Sequence, residues 1–308
     1  MTYRATAVAC SILLTALGCT ASRVLGRTLR AFRAPKKLEH RITRPERSDA
    51  RLAVLWVGHA TALVQIDDRF VLTDPVFTRT AGGVAPRLVE PGVDPVNLPS
   101  KLAIVISHLH FDHLSYDSLA MLEQKVDVVL LPPGGRENLP RYPFESRDLA
   151  AWQTYEQAGL RITAVPVSHA GGRFRVDNAW YPRAFTGYVF EYHGISVYFG
   201  GDTVFDGSAF RATARRFPSL ELALLPICPI APRSFMQRAH MNPAQALDAF
   251  RTLGAKRMLP IHFDTFINSE DRPGDCGLEL LGEMSRRGID LGQVALLGIG
   301  EQRVFVRK

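Results

Sequence analysis

The sequence predicts a layered α/β domain, and three observations carry that expectation. The first half holds short apolar runs separated by tight turns, the pattern of hairpin strands. The second half alternates apolar runs with amphipathic stretches, the pattern of strand–helix units. Asp74, His108, His169, Asp202 and His262 each follow the end of an apolar run. A layered fold gathers such strand ends along one edge, the usual place for a site.

Taken in order, residues 52–57 and 62–66 read as strands, and Asp67-Asp68 turns the chain into a third at 70–73, closed by Asp74-Pro75. Residues 78–100, rich in Gly and Pro, predict a long loop. A buried strand at 102–106 leads into the histidine loop, followed by a helix over 116–124 with Ser115 as its cap. Strands are expected at 126–131 and 160–167, and 187–192 pairs with 195–199 across His193-Gly194. Thereafter helix 208–217, strand 222–226, helix 243–253, strand 256–260, helix 278–287 and a last strand at 293–297 complete one domain over about 51–308.

Hydrophobic residues make up 46% of the 308 and charged residues 22%, enough apolar surface for a large core. The net charge of +7 sits entirely in residues 1–50, where ten Lys/Arg face three acidic residues. The domain itself is formally neutral, which argues against a nucleic-acid groove.

The basic segment opens with Arg4, the 13-residue apolar run 5–17 and Gly18-Cys19. That is the shape of a secretory signal over residues 1–18, and the run falls short of the ~20 apolar residues that span a bilayer. Ala16-Leu17-Gly18-Cys19 resembles a lipoprotein cleavage box, with Ala16 where Leu is usual. The expectation is a cell-envelope protein lipid-anchored through Cys19, with a basic linker over 19–50 beside anionic lipid; a cytosolic extension or an uncleaved anchor is the competing reading. Of the remaining cysteines, Cys228 lies in the apolar run 222–230 and reads as a buried, inert thiol. Too few cysteines remain for a thiolate zinc site.

His108-Leu109-His110-Phe111-Asp112-His113 places three of the nine histidines and one carboxylate within six residues. In an extended segment His108 and His110 point the same way, while Asp112 and His113 follow where the chain turns toward a second point. His169 can complete the set begun by His108 and His110, and His262 can join Asp112 and His113. Asp202, in Gly200-Gly201-Asp202-Thr203, is placed to bridge, since a carboxylate has an oxygen for each of two ions. Imidazole and carboxylate donors are zinc-type ligands.

This pattern resembles the metallo-β-lactamase fold superfamily and, within it, the group of N-acylphosphatidylethanolamine-hydrolysing phospholipase D. The group resemblance rests on Trp56-Val57-Gly58-His59-Ala60-Thr61, Leu72-Thr73-Asp74-Pro75-Val76-Phe77, Gly201-Asp202-Thr203, Pro232-Arg233-Ser234-Phe235-Met236, His240-Met241-Asn242-Pro243 and Ile261-His262-Phe263-Asp264-Thr265-Phe266. It implies an αββα sandwich, two β-sheets flanked by helices, and two zinc ions per chain: one held by His108, His110 and His169, the other by Asp112, His113 and His262, with Asp202 between them. It implies catalytic roles for Asp112 and His240, a contact of His240 with the substrate phosphate, and Asp74 as an acceptor fixing a ligand imidazole. From their own positions, His59, after the Gly that ends the first strand, is a candidate substrate contact facing the pocket, and Arg233 and Arg238 are candidates either for a phosphate contact or for plain surface placement. For His240 a capping role at the helix from Pro243 competes, and for Asp74 a plain turn role.

The implied activity is a phosphodiesterase of phospholipase D type on a phospholipid or other amphiphilic phosphodiester. A lactonase or other carbonyl hydrolase of the same fold, and a metal-bearing envelope protein without turnover, are the alternatives. The segment between His169 and Asp202 departs from the group's Trp-rich pattern: Phe174, Trp180, Tyr181 and Phe185 make an aromatic-rich loop suited to acyl chains or to plain packing.

Overall fold

The computed structural model describes residues 34–39, 41–173 and 183–308. β1 (Ala50–Gly58), β2 (Thr61–Ile66) and β3 (Arg69–Thr73) run antiparallel in sequence. Their turns use residues that tolerate a left-handed backbone: Asp67 has φ 51° and Gly58 φ 123°. β4 (Thr80–Ala81) and β5 (Ala85–Pro86) form a small separate hairpin within the expected long loop. β6 (Leu102–Val105) then pairs in parallel with β3, as parallel pairing requires after so long a connection. α1 (Tyr116–Leu122), capped by the Ser115 side chain, leads to β7 (Val126–Leu131) and β8 (Glu145–Asp148).

The second sheet begins with the antiparallel strands β9 (Thr154–Gln157), β10 (Leu160–Val165), β11 (Gly187–Tyr192) and β12 (Ile195–Phe199). Then α2 (Gly207–Arg216), β13 (Leu222–Pro226), the single turn α3 (Arg233–Met236), α4 (Pro243–Leu253), β14 (Arg257–Ile261) and α5 (Asp275–Arg287) follow. β15 (Gln302–Arg307) returns to the first sheet beside β1. The sheets have seven strands in the order β15-β1-β2-β3-β6-β7-β8 and six in the order β14-β13-β12-β11-β10-β9. Helices flank both, giving the αββα sandwich expected from the sequence.

Alternation along the strands explains the layering. Leu52, Val54 and Trp56 of β1 share one core with Ile162, Phe190 and Phe199 of the second sheet. Leu55 and Val57 face the other way, into a cluster with Leu119 and Leu122 of α1. Because both faces are covered, β1 reads as a nearly unbroken apolar run.

Two expectations are corrected, and β8 and β9 are added to the strands expected. Residues 293–297 form no strand: they meet β14 at one bridge, Met258 to Val294, before Gly298 and Gly300 turn the chain into β15. β8 and β9 escaped the reading because their edge positions are satisfied by mostly polar residues. Cys228 is not an inert thiol but is joined to Cys276, with Cα atoms 6.0 Å apart. The apolar run of β13 carries Cys228 past the sheet edge, where the start of α5 brings the second cysteine against it.

The expected signal segment, Cys19 and the first part of the basic linker lie outside the described residues. Downstream, Lys36 bridges Val89 and Ile42 bridges Val93, so this segment runs along the loop that follows β5. Among the described residues no helix is long and apolar enough to cross a membrane.

Candidate metal centre

The histidine loop leaves the end of β6 and turns at once: the amide groups of His113 and Leu114 both donate to the His110 carbonyl, at 3.0 and 2.9 Å. That turn separates the loop's donors into two groups, as the spacing implied. His108 Nε2 lies 2.8 Å from His110 Nδ1, and His169 Nε2 lies 3.4 Å from the same atom. On the other side, His113 Nε2 lies 3.2 Å from His262 Nε2, and Asp112 Oδ2 is 3.9 and 3.8 Å from those two nitrogens. Asp202 stands between the groups. Its Oδ2 is 3.3 Å from His113 Nε2 and 4.0 Å from His169 Nε2, while its Oδ1 is 3.1 Å from His262 Nε2. All seven residues singled out as ligands are therefore brought together.

The groups behind them fix which ring nitrogen faces inward. Nδ1 of His113 meets Asp74 Oδ2 at 2.6 Å, Nδ1 of His169 the Ala239 carbonyl at 2.9 Å, and Nδ1 of His262 the Cys228 carbonyl at 3.0 Å. Nδ1 of His108 meets Ser107 Oγ at 2.9 Å. With Nδ1–H donating outward, each Nε2 keeps its lone pair for the centre, the arrangement common to metal-bound imidazoles.

Protonation agrees with that. Burial, reinforced by the neighbouring imidazoles, holds His108 well below the usual histidine range; for His169 burial outweighs the pull of Asp202 to the same end. Asp112 and Asp202 are held well below the usual carboxylate range, since the surrounding imidazoles overcome the cost of burial. His113 is the exception: burial opposes its charging, but Asp202, Asp74 and Asp112 together raise it. Asp202 Oδ1 and His240 Nδ1 are buried with no hydrogen-bond partner among the described residues. Convergent imidazole lone pairs, ionised carboxylates and orphaned polar atoms fit divalent cations and would be costly if left bare.

Asp74 resolves in favour of the acceptor role. Fully buried, it accepts from Ser107 N at 2.7 Å, from Ser107 Oγ at 2.6 Å and from His113. Gly201 closes the same corner: with φ 56°, a Cβ there would lie 2.2 Å from Ser107 Cβ. Thr203 joins three site segments, because its hydroxyl accepts from Ser168 N and its carbonyl from Met241 N.

His59 lies inside the cluster. Its Nε2 is 3.1 Å from Asp112 Oδ2, its ring lies 3.8 Å from that of His262, and burial with the nearby His262 lowers it to about 3. His240 Nδ1 is 3.5 Å from Asp202 Oδ2, and burial lowers it to about 4. The helix-capping role belongs to Asn242, whose side chain closes a capping box with Gln245. Arg233 does not reach the cluster: its guanidinium donates to the His240 carbonyl and to Gln245.

Arg173 was not anticipated. Buried, it lies over the rings of Phe111 and Tyr116 and donates to the carbonyls of Leu109 and Leu114, clamping both ends of the histidine loop. Of the aromatic loop, Phe174, Trp180 and Tyr181 lie outside the described residues, while Phe185 bridges His108.

A cavity of about 360 Å³ opens onto the cluster, lined by His110, Asp112, Asp202, His240 and Arg173. A second, of about 280 Å³, lies behind His59 and His262. Phe266 and Asn268 border both.

Sandwich and cluster together define a domain of the metallo-β-lactamase fold. A family model described as the beta-lactamase superfamily domain matches residues 69–263, and the chain belongs to that family. It is 36% identical over 234 residues to an uncharacterized protein of Mycobacterium tuberculosis; the match spans 71% of this chain but only 61% of that relative. It is 28% identical over 246 residues to N-acyl-phosphatidylethanolamine-hydrolyzing phospholipase D 1 of Caenorhabditis elegans, covering 74% of this chain and 68% of that one. Among solved structures it is similar to Igni18, a metallo hydrolase from Ignicoccus hospitalis, with TM-score 0.60, 20% identity, and 82% and 97% of the two chains covered.

Proposed function

We propose that the protein is a metal-dependent hydrolase holding two zinc ions, a phosphodiesterase of phospholipase D type acting on an amphiphilic phosphodiester. The observation that carries this reading is the pairing of two three-residue donor sets across Asp202, with His240 beside them at the cavity wall. The resemblance to the nematode phospholipase D supports phosphorus over carbon as the reacting centre.

His108, His110 and His169 would hold one ion, Asp112, His113 and His262 the other, and Asp202 both. Two divalent ions so held supply Lewis acidity and lower the pKa of water toward neutrality. The chain's own residues do the rest. Asp74 and the Ala239 and Cys228 carbonyls keep the imidazoles in one tautomer and orientation. His59 holds Asp112. His240, with its backbone carbonyl anchored by Arg233, faces the cavity; neutral in the free protein, it would take up a proton as the phosphodiester's negative charge enters beside it and pass that proton to the leaving alkoxide. Phe111, Met236 and Phe266 give that cavity apolar wall for an amphiphile.

Turnover by metal-loaded protein of glycerophosphodiesters, lactones and β-lactams, compared with His240→Ala, tests the assignment. The variant should keep its metals and lose on the order of 10²–10⁴-fold in turnover of an alkyl phosphodiester. The loss should be far smaller with a nitrophenyl ester, whose leaving group departs without a proton. Hydrolysis of lactones alone would overturn the phosphodiesterase reading.

We infer also that the chain is exported and tethered through Cys19. The disulfide supports this, since such bonds persist in oxidising compartments.

A further inference from the structure

We propose that a third cavity, walled by residues 34–37, Arg41 and residues 77–95 and separate from the metal centre, is a binding site for a phosphate-bearing anion. The cavity has a volume of about 420 Å³, and Lys37, Arg41, Arg79 and Arg87 line it against only two carboxylates, Glu90 and Asp94. None of the seven candidate metal ligands borders it.

Arg87 is the central cation of this cavity. It is one of the largest fully buried side chains of the domain, yet no carboxylate pairs with it among the described residues. Its Nε donates to the Thr78 carbonyl at 2.9 Å and its Nη2 to the Val76 carbonyl at 2.5 Å. The third nitrogen, Nη1, is buried with no partner. A buried cation held by two carbonyl dipoles and the face of the Phe266 ring, with no counter-charge, is costly, and an anion beside it offsets the cost. Guanidinium groups match the paired oxygens of a phosphate.

The other cations are weakly paired or unpaired. Lys37 and Arg79 make no ion pair among the described residues, and Arg41 has a single long one, 3.8 Å to Asp94. Backbone structure brings them together. The Arg87 amide donates to the Arg79 carbonyl, and Lys36 exchanges hydrogen bonds with Leu88 and Glu90, which holds residues 34–39 over the opening. Phe77, Pro95 and the 54%-exposed Met121 add apolar wall. That combination suits a phosphate ester with an organic substituent, whether free or as a lipid headgroup.

The site does not depend on the hydrolase reading. Arg87 also lies 4.5 Å over the ring of Phe266, which borders the catalytic cavity, so replacing Arg87 would disturb both sites. The test therefore uses metal-loaded, full-length protein and reads Lys37 directly, by its rate of acetylation with an N-hydroxysuccinimide ester, resolved by mass spectrometry. Inorganic phosphate or glycerol 3-phosphate should slow modification of Lys37 about tenfold, equivalent to about 1.4 kcal/mol, while Lys36 changes little. Arg79→Gln should lose most of that protection and Arg79→Lys keep it.

Vesicles of phosphatidylglycerol and of phosphatidylcholine distinguish the sources. Protection by the anionic vesicles assigns a lipid headgroup, and protection by soluble phosphate alone assigns a free ester. Equal rates under every condition, or equal protection by chloride at matched ionic strength, would overturn the proposal. Because the wild-type measurement decides it, a variant that fails to fold leaves the test intact.

Discussion

Asp74→Asn isolates the part of the centre that never touches an ion. Three donors converge on the Asp74 carboxylate, at 2.6–2.7 Å: the Ser107 amide, the Ser107 hydroxyl and His113 Nδ1. An asparagine fills the same space but offers one accepting oxygen. With that oxygen kept on the Ser107 amide, its NH₂ faces the Ser107 hydroxyl and His113 Nδ1. The hydroxyl can turn to accept, but the imidazole must then carry its proton on Nε2. That nitrogen is the one aimed inward, 3.3 Å from Asp202 Oδ2. A ligand locked in the wrong tautomer binds its ion poorly, and loss of such supporting partners costs about 10–100-fold in metal affinity. In free energy this is about 1.4–2.7 kcal/mol. Folding stability should fall by about 1–3 kcal/mol as well, because a buried charge-assisted network is broken. Competition with a fluorescent chelator gives the affinity of each ion, and nitrogen NMR of His113 reports the tautomer. One ion should weaken by the stated factor and the other much less. Unchanged affinity of both ions, with Nδ1 still protonated, would refute the reasoning.

Gly201→Ala should destabilise the fold by about 2–5 kcal/mol, combining a left-handed backbone penalty with overpacking against Ser107; a chemical melt within about 0.5 kcal/mol of wild type would contradict the close approach. Cys276→Ser opens a cross-link between positions 48 residues apart, which chain-entropy arguments put at about 4 kcal/mol. Reducing agent should lower the stability of wild-type protein to a similar extent and leave the variant unmoved, and a wild type indifferent to full reduction would deny the bond its role. Cys19→Ser should release the protein from the membrane fraction of its native cell and abolish lipid labelling, whereas soluble wild-type protein still beginning at Met1 would overturn the tether.

What could be read from the sequence was side-chain chemistry at the ends of apolar strands. His169 follows β10 and His262 follows β14 immediately, so apolar patterning located both even with strand boundaries a residue or two adrift. Asp74 was legible as a residue but not as a role, because Asp before Pro is also an ordinary turn. What the sequence could not show was contributed by backbone or by distant partners. The carbonyls of Ala239 and Cys228 orient two ligands, and a carbonyl leaves no mark in residue identity. Arg173 reaches the histidine loop from 59 or more positions away, through contacts that only the fold creates. β15 was missed because at the sheet edge it carries exposed Arg303 and Arg307, which interrupt the apolar run that marks the interior strands. The disulfide was missed for the same reason as the clamp: two cysteines fix no pairing until β13 and α5 place them side by side.

Seven side chains converge with the geometry of a two-ion centre. Elemental analysis of protein purified from its native host without chelators, alongside Asp202→Asn, tests it most directly. Folded wild-type protein should carry close to two equivalents of zinc per chain, and the variant should show a marked loss of bound metal. A folded, intact wild-type protein with metal content near zero, and no uptake of zinc on titration, would contradict a two-ion centre.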